Sequence, residues 1–272
     1  MSKLFDGILL VSDIDGTLIG EVWEVSRGNL EAIRYFQENG GTFTVATGRL
    51  PFSIRLINPG IPVNAPVICH NGAVIYDMEA DKILWQLPLG NEGVRAVQDI
   101  RDKLPFTGIE IYNENKIYIC RKNPAVHRQL AVERFAFKDK SVEEVPQPWS
   151  KVLFVQEKEQ MRQLRSYIAD QPYAEEFAFM QSADNFYEML HRDASKGYAL
   201  QQLRKMLPGI HTAVAVGDNE NDMRMIQAAD ISYATDNAYA PLKKLADHVT
   251  VDCRSDAIKQ IIVEIEQNLK KS

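Results

Sequence analysis

Three segments of this chain carry side chains able to do chemistry, and each closes an apolar run. Residues 8–11 lead through Ser12 into Asp13-Ile14-Asp15-Gly16-Thr17, residues 42–46 into Thr47-Gly48-Arg49, and residues 213–216 into Gly217-Asp218-Asn219-Glu220-Asn221-Asp222. Carboxylates so grouped can serve as nucleophile, as general acid and base, or as ligands to a hard cation, while a hydroxyl and a guanidinium can hold an anion. Asp, Asn, Gly and Thr are also ordinary turn residues, so any one segment taken alone reads equally well as a turn. Four specified residues at about 5% each recur with a chance of only ~10⁻⁵ per position. Two acidic segments, each at the end of an apolar run, therefore point to a site.

The elements that must position these residues follow from periodicity. The continuous apolar runs suit buried parallel strands. Between the first two, Ser26 is placed to cap a helix, Leu30, Ile33 and Phe36 keep helical spacing, and Gly40-Gly41 supplies the stop. With a third strand at 66–69, the opening third alternates strand and helix and predicts a parallel sheet with flanking helices. Ligands of such sheets bind beyond the carboxyl ends of the strands, where the three segments should converge. From residue 73 the texture changes. Short strands at 73–76 and 83–86 flank a polar turn, followed by a helix at 91–104, strands at 108–112 and 116–120, a helix near 125–135, a strand at 152–156, a helix at 157–169 and strands at 177–180 and 186–190. That order suits an antiparallel sheet with helices on one face. The first pattern resumes with a helix at 196–207, strands at 213–216 and 231–234 around a helix at 222–228, and an amphipathic helix from Ser255. The expectation is an α/β protein: a Rossmann-like parallel-sheet core at 1–82 and 191–272, interrupted by an α+β cap at 83–190.

Composition narrows the function. The 272 residues are 45% hydrophobic and 25% charged with a net charge of −6, and Lys and Arg are scattered. An electrostatic footprint for nucleic acid is missing. The apolar stretch at 8–11 is too short for a signal core or a membrane span, so no membrane partner and a cytoplasmic location are expected. Cys69, Cys120 and Cys253 include no CxxC pair, which fits a reducing compartment and argues against structural zinc. Repeats and low-complexity tracts are absent, so short crossings should join the two lobes.

The motifs, taken in order, resemble the haloacid dehalogenase superfamily and within it the Cof-type phosphatases. The resemblance rests on Asp13 to Thr17, Thr47 to Arg49, Lys196 within Asp193-Ala194-Ser195-Lys196-Gly197, and Gly217 to Asp222 with Met225 following. Asn71-Gly72-Ala73, Asn237-Ala238 and the hundred-residue insertion also resemble that branch, whereas Asp252-Cys253-Arg254-Ser255-Asp256-Ala257 lacks its usual Asp-Gly-Val. The resemblance implies a phosphatase acting on a small phosphorylated metabolite such as a sugar phosphate. Asp13 would be the nucleophile and form an aspartyl-phosphate, and Asp15 the acid and base. Thr47 and Lys196 would complete the catalytic set, and Thr47, Gly48, Arg49, Asn71 and Asn221 would contact substrate.

Carboxylates crowded at strand ends repel one another unless a cation lies among them. Mg²⁺ suits the side chains of Asp13 and Asp218 and the backbone carbonyl of Asp15, with Asn221 and Asp222 supporting these ligands from behind. For Lys196 the plain alternative is a solvated lysine at a helix start, which its motif outweighs. For Arg49 and Asn71 a surface ion pair and a turn role stand level with substrate contact. His70, His191, Met223 and Met225 read as structural, and Trp23 as a packing residue near the entrance. Two other functions remain open: a phosphomutase of the same family, and a non-hydrolytic binding module regulated by phosphate.

Overall fold

The computed structural model describes residues 3–20, 24–57, 60–133 and 135–271, so Trp23 lies outside the described residues. The chain opens with β1 (Ile8–Ser12), α1 (Arg27–Glu38), β2 (Thr42–Val45), α2 (Pro51–Ile57), β3 (Val67–Cys69), β4 (Val74–Asp77) and β5 (Lys82–Gln86). It continues through α3 (Gly90–Lys103), β6 (Gly108–Asn113), β7 (Lys116–Arg121), α4 (Pro124–Glu133), β8 (Phe137–Asp139), β9 (Lys151–Val155), α5 (Lys158–Ala169), β10 (Phe177–Ala183) and β11 (Phe186–His191). It closes with α6 (Lys196–Met206), β12 (Thr212–Gly217), α7 (Met223–Ala228), β13 (Ile231–Ala234), α8 (Ala240–Leu245), β14 (His248–Val249) and α9 (Ala257–Leu269). Two compact units result, Met1–Trp85 with Ser195–Ser272, and Gln86–Ala194.

The first unit is built on a parallel sheet of order β14-β13-β12-β1-β2. Successive side chains of a strand point to opposite faces, and here both faces are buried. Leu10, Phe43, Val45, Val214 and Val216 pack with Ile33 and Phe36 of α1 and Ile258, Ile261 and Ile262 of α9. Leu9, Val11, Ala213, Ala215 and Ala234 pack with Leu200 and Leu203 of α6, Met225 of α7 and Leu242 of α8. This is the α/β core with helices on both faces. Ser26 caps α1, its hydroxyl accepting from Asn29 N at 3.1 Å.

One strand departs from the expected pairing. The segment at 66–69 was expected to join the parallel sheet, but β3 runs antiparallel to β4, with Val67 opposite Tyr76, in a separate sheet of order β3-β4-β5. It still meets the parallel sheet in the parallel sense, through an isolated bridge between Ala46 and Ile68 and the hydrogen bond from Thr47 N to Ile68 O at 2.9 Å. His70, Asn71 and Gly72 take φ values of 51°, 53° and 96° and reverse the chain directly after Cys69, which makes β4 the antiparallel neighbour of β3. A parallel β4 would need a crossover of a dozen residues or so after Cys69, whereas the crossover that contains α2 joins β2 to β3.

The second unit holds a six-stranded sheet of order β10-β11-β9-β6-β7-β8, antiparallel except for β7 with β8. Val97 and Ile100 of α3 and Leu164 and Ile168 of α5 share one apolar cluster with Ile109, Ile111, Val152, Phe154 and Met189. β8 carries no apolar alternation, since all three of its residues are exposed. No helix among the described residues is long and apolar enough to cross a membrane.

Candidate active site

Register places the reactive segments side by side. β1 lies between β12 and β2, Ser12 facing Val216 on one side and Val45 on the other, so the three strand ends come out together. Asp13 N continues the ladder onto Val216 O at 3.0 Å, and Ala46 N onto Ser12 O at 2.9 Å. Lys196 comes from the first residue of α6, a helix capped by the Ser195 hydroxyl accepting from Tyr198 N at 3.1 Å. Gly197 lets that helix end approach α7, because a Cβ there would lie 2.0 Å from the Arg224 carbonyl oxygen.

The Lys196 ammonium is wholly buried and sits 2.6 Å from Asp13 Oδ1 and 2.6 Å from Asp222 Oδ1. Asp222 Oδ2 accepts from the backbone N–H groups of Asp218 at 3.0 Å and Asn219 at 3.1 Å, so both of its oxygens are engaged in holding lysine and loop. Asp218 Oδ1 accepts the Thr17 hydroxyl at 2.9 Å. Oxygens of Asp13, Asp218 and Asp222 come within 4.8 Å of one another. Three carboxylates thus face a single ammonium, an excess of two negative charges. Burial pushes the Asp13 carboxyl well above its ordinary value, against the pull of Lys196, and burial with Asp222 nearby pushes Asp218 up as well. For Lys196, burial acts downward, but Asp13 and Asp222 outweigh it and keep the ammonium charged. The donor set is all oxygen and too negative for its surroundings, which fits a hard divalent cation.

Asp15 lies outside this cluster. Arg49 grips it bidentately, Nε to Oδ2 at 2.8 Å and Nη2 to Oδ1 at 2.6 Å. The surface ion pair weighed for Arg49 is thus present, and its partner is the carboxylate expected to move protons. Thr47, almost wholly buried, accepts from Arg49 N through its hydroxyl at 3.2 Å. Asn71 N donates to Thr47 O at 3.0 Å, and Asn221 Nδ2 to Asn71 Oδ1 at 3.1 Å. A Cβ on Gly48 would lie 3.0 Å from Asn71 Oδ1. Thr47, Gly48, Asn71 and Asn221 therefore form one polar group, with Asn221 turned to Asn71.

Two contributors escaped the sequence. Thr17 enters the sequence reading only as the end of the first acidic segment, yet its hydroxyl joins the two acidic loops. Asn237, noted only for its resemblance, donates from Nδ2 to Gly16 O at 2.8 Å. A threonine closing the first acidic segment was the available signal for the former, whereas nothing in spacing pairs residues 16 and 237.

Comparison with known proteins gives the family and the fold. A family model described as haloacid dehalogenase-like hydrolase matches residues 10–262. Phosphatase YwpJ of Bacillus subtilis (strain 168) is 30% identical over 273 residues, covering 89% of this chain and 94% of its own. Putative phosphatase YxeH of the same organism is 27% identical over 271 residues, covering 94% and 97%. Among solved structures, a haloacid dehalogenase-like hydrolase from Bacteroides thetaiotaomicron gives a TM-score of 0.82 at 24% identity, over 96% of this chain and 99% of that one, a likeness of fold.

Proposed function

The chain belongs to the haloacid dehalogenase-like hydrolase family, and from that premise we propose that it is a Mg²⁺-dependent phosphatase of a small phosphorylated metabolite, working through an aspartyl-phosphate on Asp13. The observation that carries this is the buried Lys196 ammonium, 2.6 Å from Asp13 and from Asp222, with Asp218 beside them and two negative charges left over. An aspartate held between a fixed ammonium and a cation stays ionised and oriented for attack.

In the first step an Asp13 oxygen attacks phosphorus in line, the bond from phosphorus to the ester oxygen breaks, and Asp15 gives its proton to the departing alkoxide. In the second, Asp15 takes a proton from water, the water oxygen bonds to phosphorus, and the bond to Asp13 breaks, releasing orthophosphate. Lys196 holds Asp13 in place, Asp222 holds Lys196, and Thr47 with neighbouring backbone N–H groups binds phosphoryl oxygens. Asp15 acts once the Arg49 fork has let it go. Mg²⁺ held by the Asp13 and Asp218 side chains and the Asp15 carbonyl would neutralise charge developing on the phosphoryl oxygens. The unit at 86–194 is assigned the choice of leaving group, as a substrate lid.

A phosphate-release screen over a panel of phosphomonoesters tests this. With Mg²⁺ at least one sugar phosphate or comparable ester releases phosphate, EDTA stops it, and Asp13→Asn removes it. Release that persists in Asp13→Asn overturns the nucleophile, and an isomerised product without free phosphate would make the enzyme a mutase.

A further inference from the structure

Around the Asp13–Thr17 turn, three loops from different parts of the first unit are tied together by one side chain. Gly16 stands at φ +84°, and a Cβ there would lie 2.4 Å from Asp218 Oδ2, so the turn and the Asp218 loop are in close approach. Thr17 ties the turn to the Asp218 side chain. On the other side, Tyr239 N donates to Asp218 O at 2.7 Å, and two residues earlier Asn237 Nδ2 donates to Gly16 O at 2.8 Å. The Asn237 amide is itself fixed, because its Oδ1 accepts from Cys253 N at 2.9 Å. Cys253 opens a short 3-10 turn whose preceding residue, Asp252, accepts from Arg254 N at 2.9 Å, and a Cβ on Gly20 would lie 3.6 Å from Cys253 Sγ. The segment after β13 thus holds both acidic loops at once, one through a side chain and one through backbone.

We propose that Asn237 is a positioning residue which, anchored on Cys253, holds the Gly16 carbonyl and so sets the separation of the Asp13 turn from Asp218, and with it the affinity of the site for a divalent cation. The proposal rests on the Mg²⁺ reading above. Asn237 is exposed and its amide is engaged with Gly16 O and Cys253 N, so the effect assigned to it passes through Gly16.

Its test is Mg²⁺ binding by calorimetry on the full chain, with unfolding temperature in EDTA as the structural control. Asn237→Ala should bind Mg²⁺ roughly three- to ten-fold more weakly, the worth of one lost hydrogen bond, with its unfolding temperature in EDTA unchanged. Cys253→Pro removes the anchoring N–H at the first position of a turn, which tolerates proline, after an Asp252 whose ψ of 144° already suits a following proline. It should show a similar loss, Cys253→Ala should bind as wild type does, and the Asn237→Ala/Cys253→Pro pair should be no weaker than Asn237→Ala alone. Wild-type affinity in Asn237→Ala, or additive losses in the pair, overturns the positioning role. A wild-type protein without Mg²⁺ affinity overturns the cation reading itself.

Discussion

Both carboxylate oxygens of Asp15 are held by the guanidinium of Arg49, at 2.6 and 2.8 Å. A carboxylate gripped this way cannot accept a proton from water or offer one to a leaving group until the fork opens, and an anionic ester is a competitor for the same guanidinium. Arg49→Lys keeps the charge but replaces the planar fork by a single ammonium, and is expected to lower kcat/KM for phosphate release about tenfold, Arg49→Ala more. Asp15 is about half exposed although Arg49 is largely covered, and a pair open to solvent on its carboxylate side contributes little to folding. The urea midpoint should therefore stay at the wild-type value in both variants, and a shift in it comparable to the kinetic loss would assign Arg49 a folding role.

Lys196 is the opposite case. With its ammonium wholly buried between Asp13 and Asp222, Lys196→Met leaves two carboxylates without their counter-ion. Breaking a buried pair from one side costs about 3–5 kcal/mol. Urea unfolding in EDTA should show a loss of that order, and Mg²⁺ should recover part of it, since a ligand of the native state adds about 2.7 kcal/mol at a hundredfold excess over its Kd. An unchanged midpoint in EDTA would mean that the carboxylates take up protons without penalty and that the lysine serves chemistry alone.

Why some of this was legible beforehand and some was not has a physical cause. The convergence of Asp13, Thr47 and Asp218 was readable because continuous apolar runs suit buried strands, and a parallel sheet brings strand ends to one edge. The Arg49 grip on Asp15 and the Asn237 grip on Gly16 join residues 34 and 221 apart. Their partners depend on how loops close, and spacing carries no information about that. The antiparallel pairing of β3 with β4, beside its single parallel bridge to the main sheet, was not legible for a related reason. The apolar run of β3 is the same as that of a parallel strand, and only the left-handed backbone at His70 and Asn71, which sequence does not display, turns the chain back.

The cation reading separates Asp218 from Asp222. Asp222 spends both oxygens on Lys196 and on the N–H groups of Asp218 and Asn219, whereas Asp218 is held by the Thr17 hydroxyl on Oδ1 and otherwise faces the Asp13 carboxyl. Asp218→Asn should abolish the rise in unfolding temperature that Mg²⁺ gives the wild type while leaving the temperature in EDTA nearly unchanged. Asp222→Asn should lower the temperature in EDTA itself, because a buried support is lost. Equal behaviour of the two variants in differential scanning fluorimetry would contradict the division between ligand and support.

Gly197 tests whether the placement of Lys196 matters separately from its charge. A methyl group there would meet the Arg224 carbonyl carbon at 2.4 Å and its oxygen at 2.0 Å, both backbone atoms that cannot swing aside. The start of α6 would have to retreat from α7 and take Lys196 with it. Overpacking of this kind costs roughly 1–3 kcal/mol, and a misplacement of about 1 Å in a catalytic group can cost on the order of a hundredfold in rate. Gly209→Ala is the control: its φ of +93° strains an alanine, but nothing lies within 4 Å of the added Cβ. It should lose about 1 kcal/mol from backbone strain alone and keep its turnover. If Gly197→Ala at equal residual stability turned over as fast as Gly209→Ala, the geometry of Lys196 would be irrelevant to the reaction and its charge sufficient.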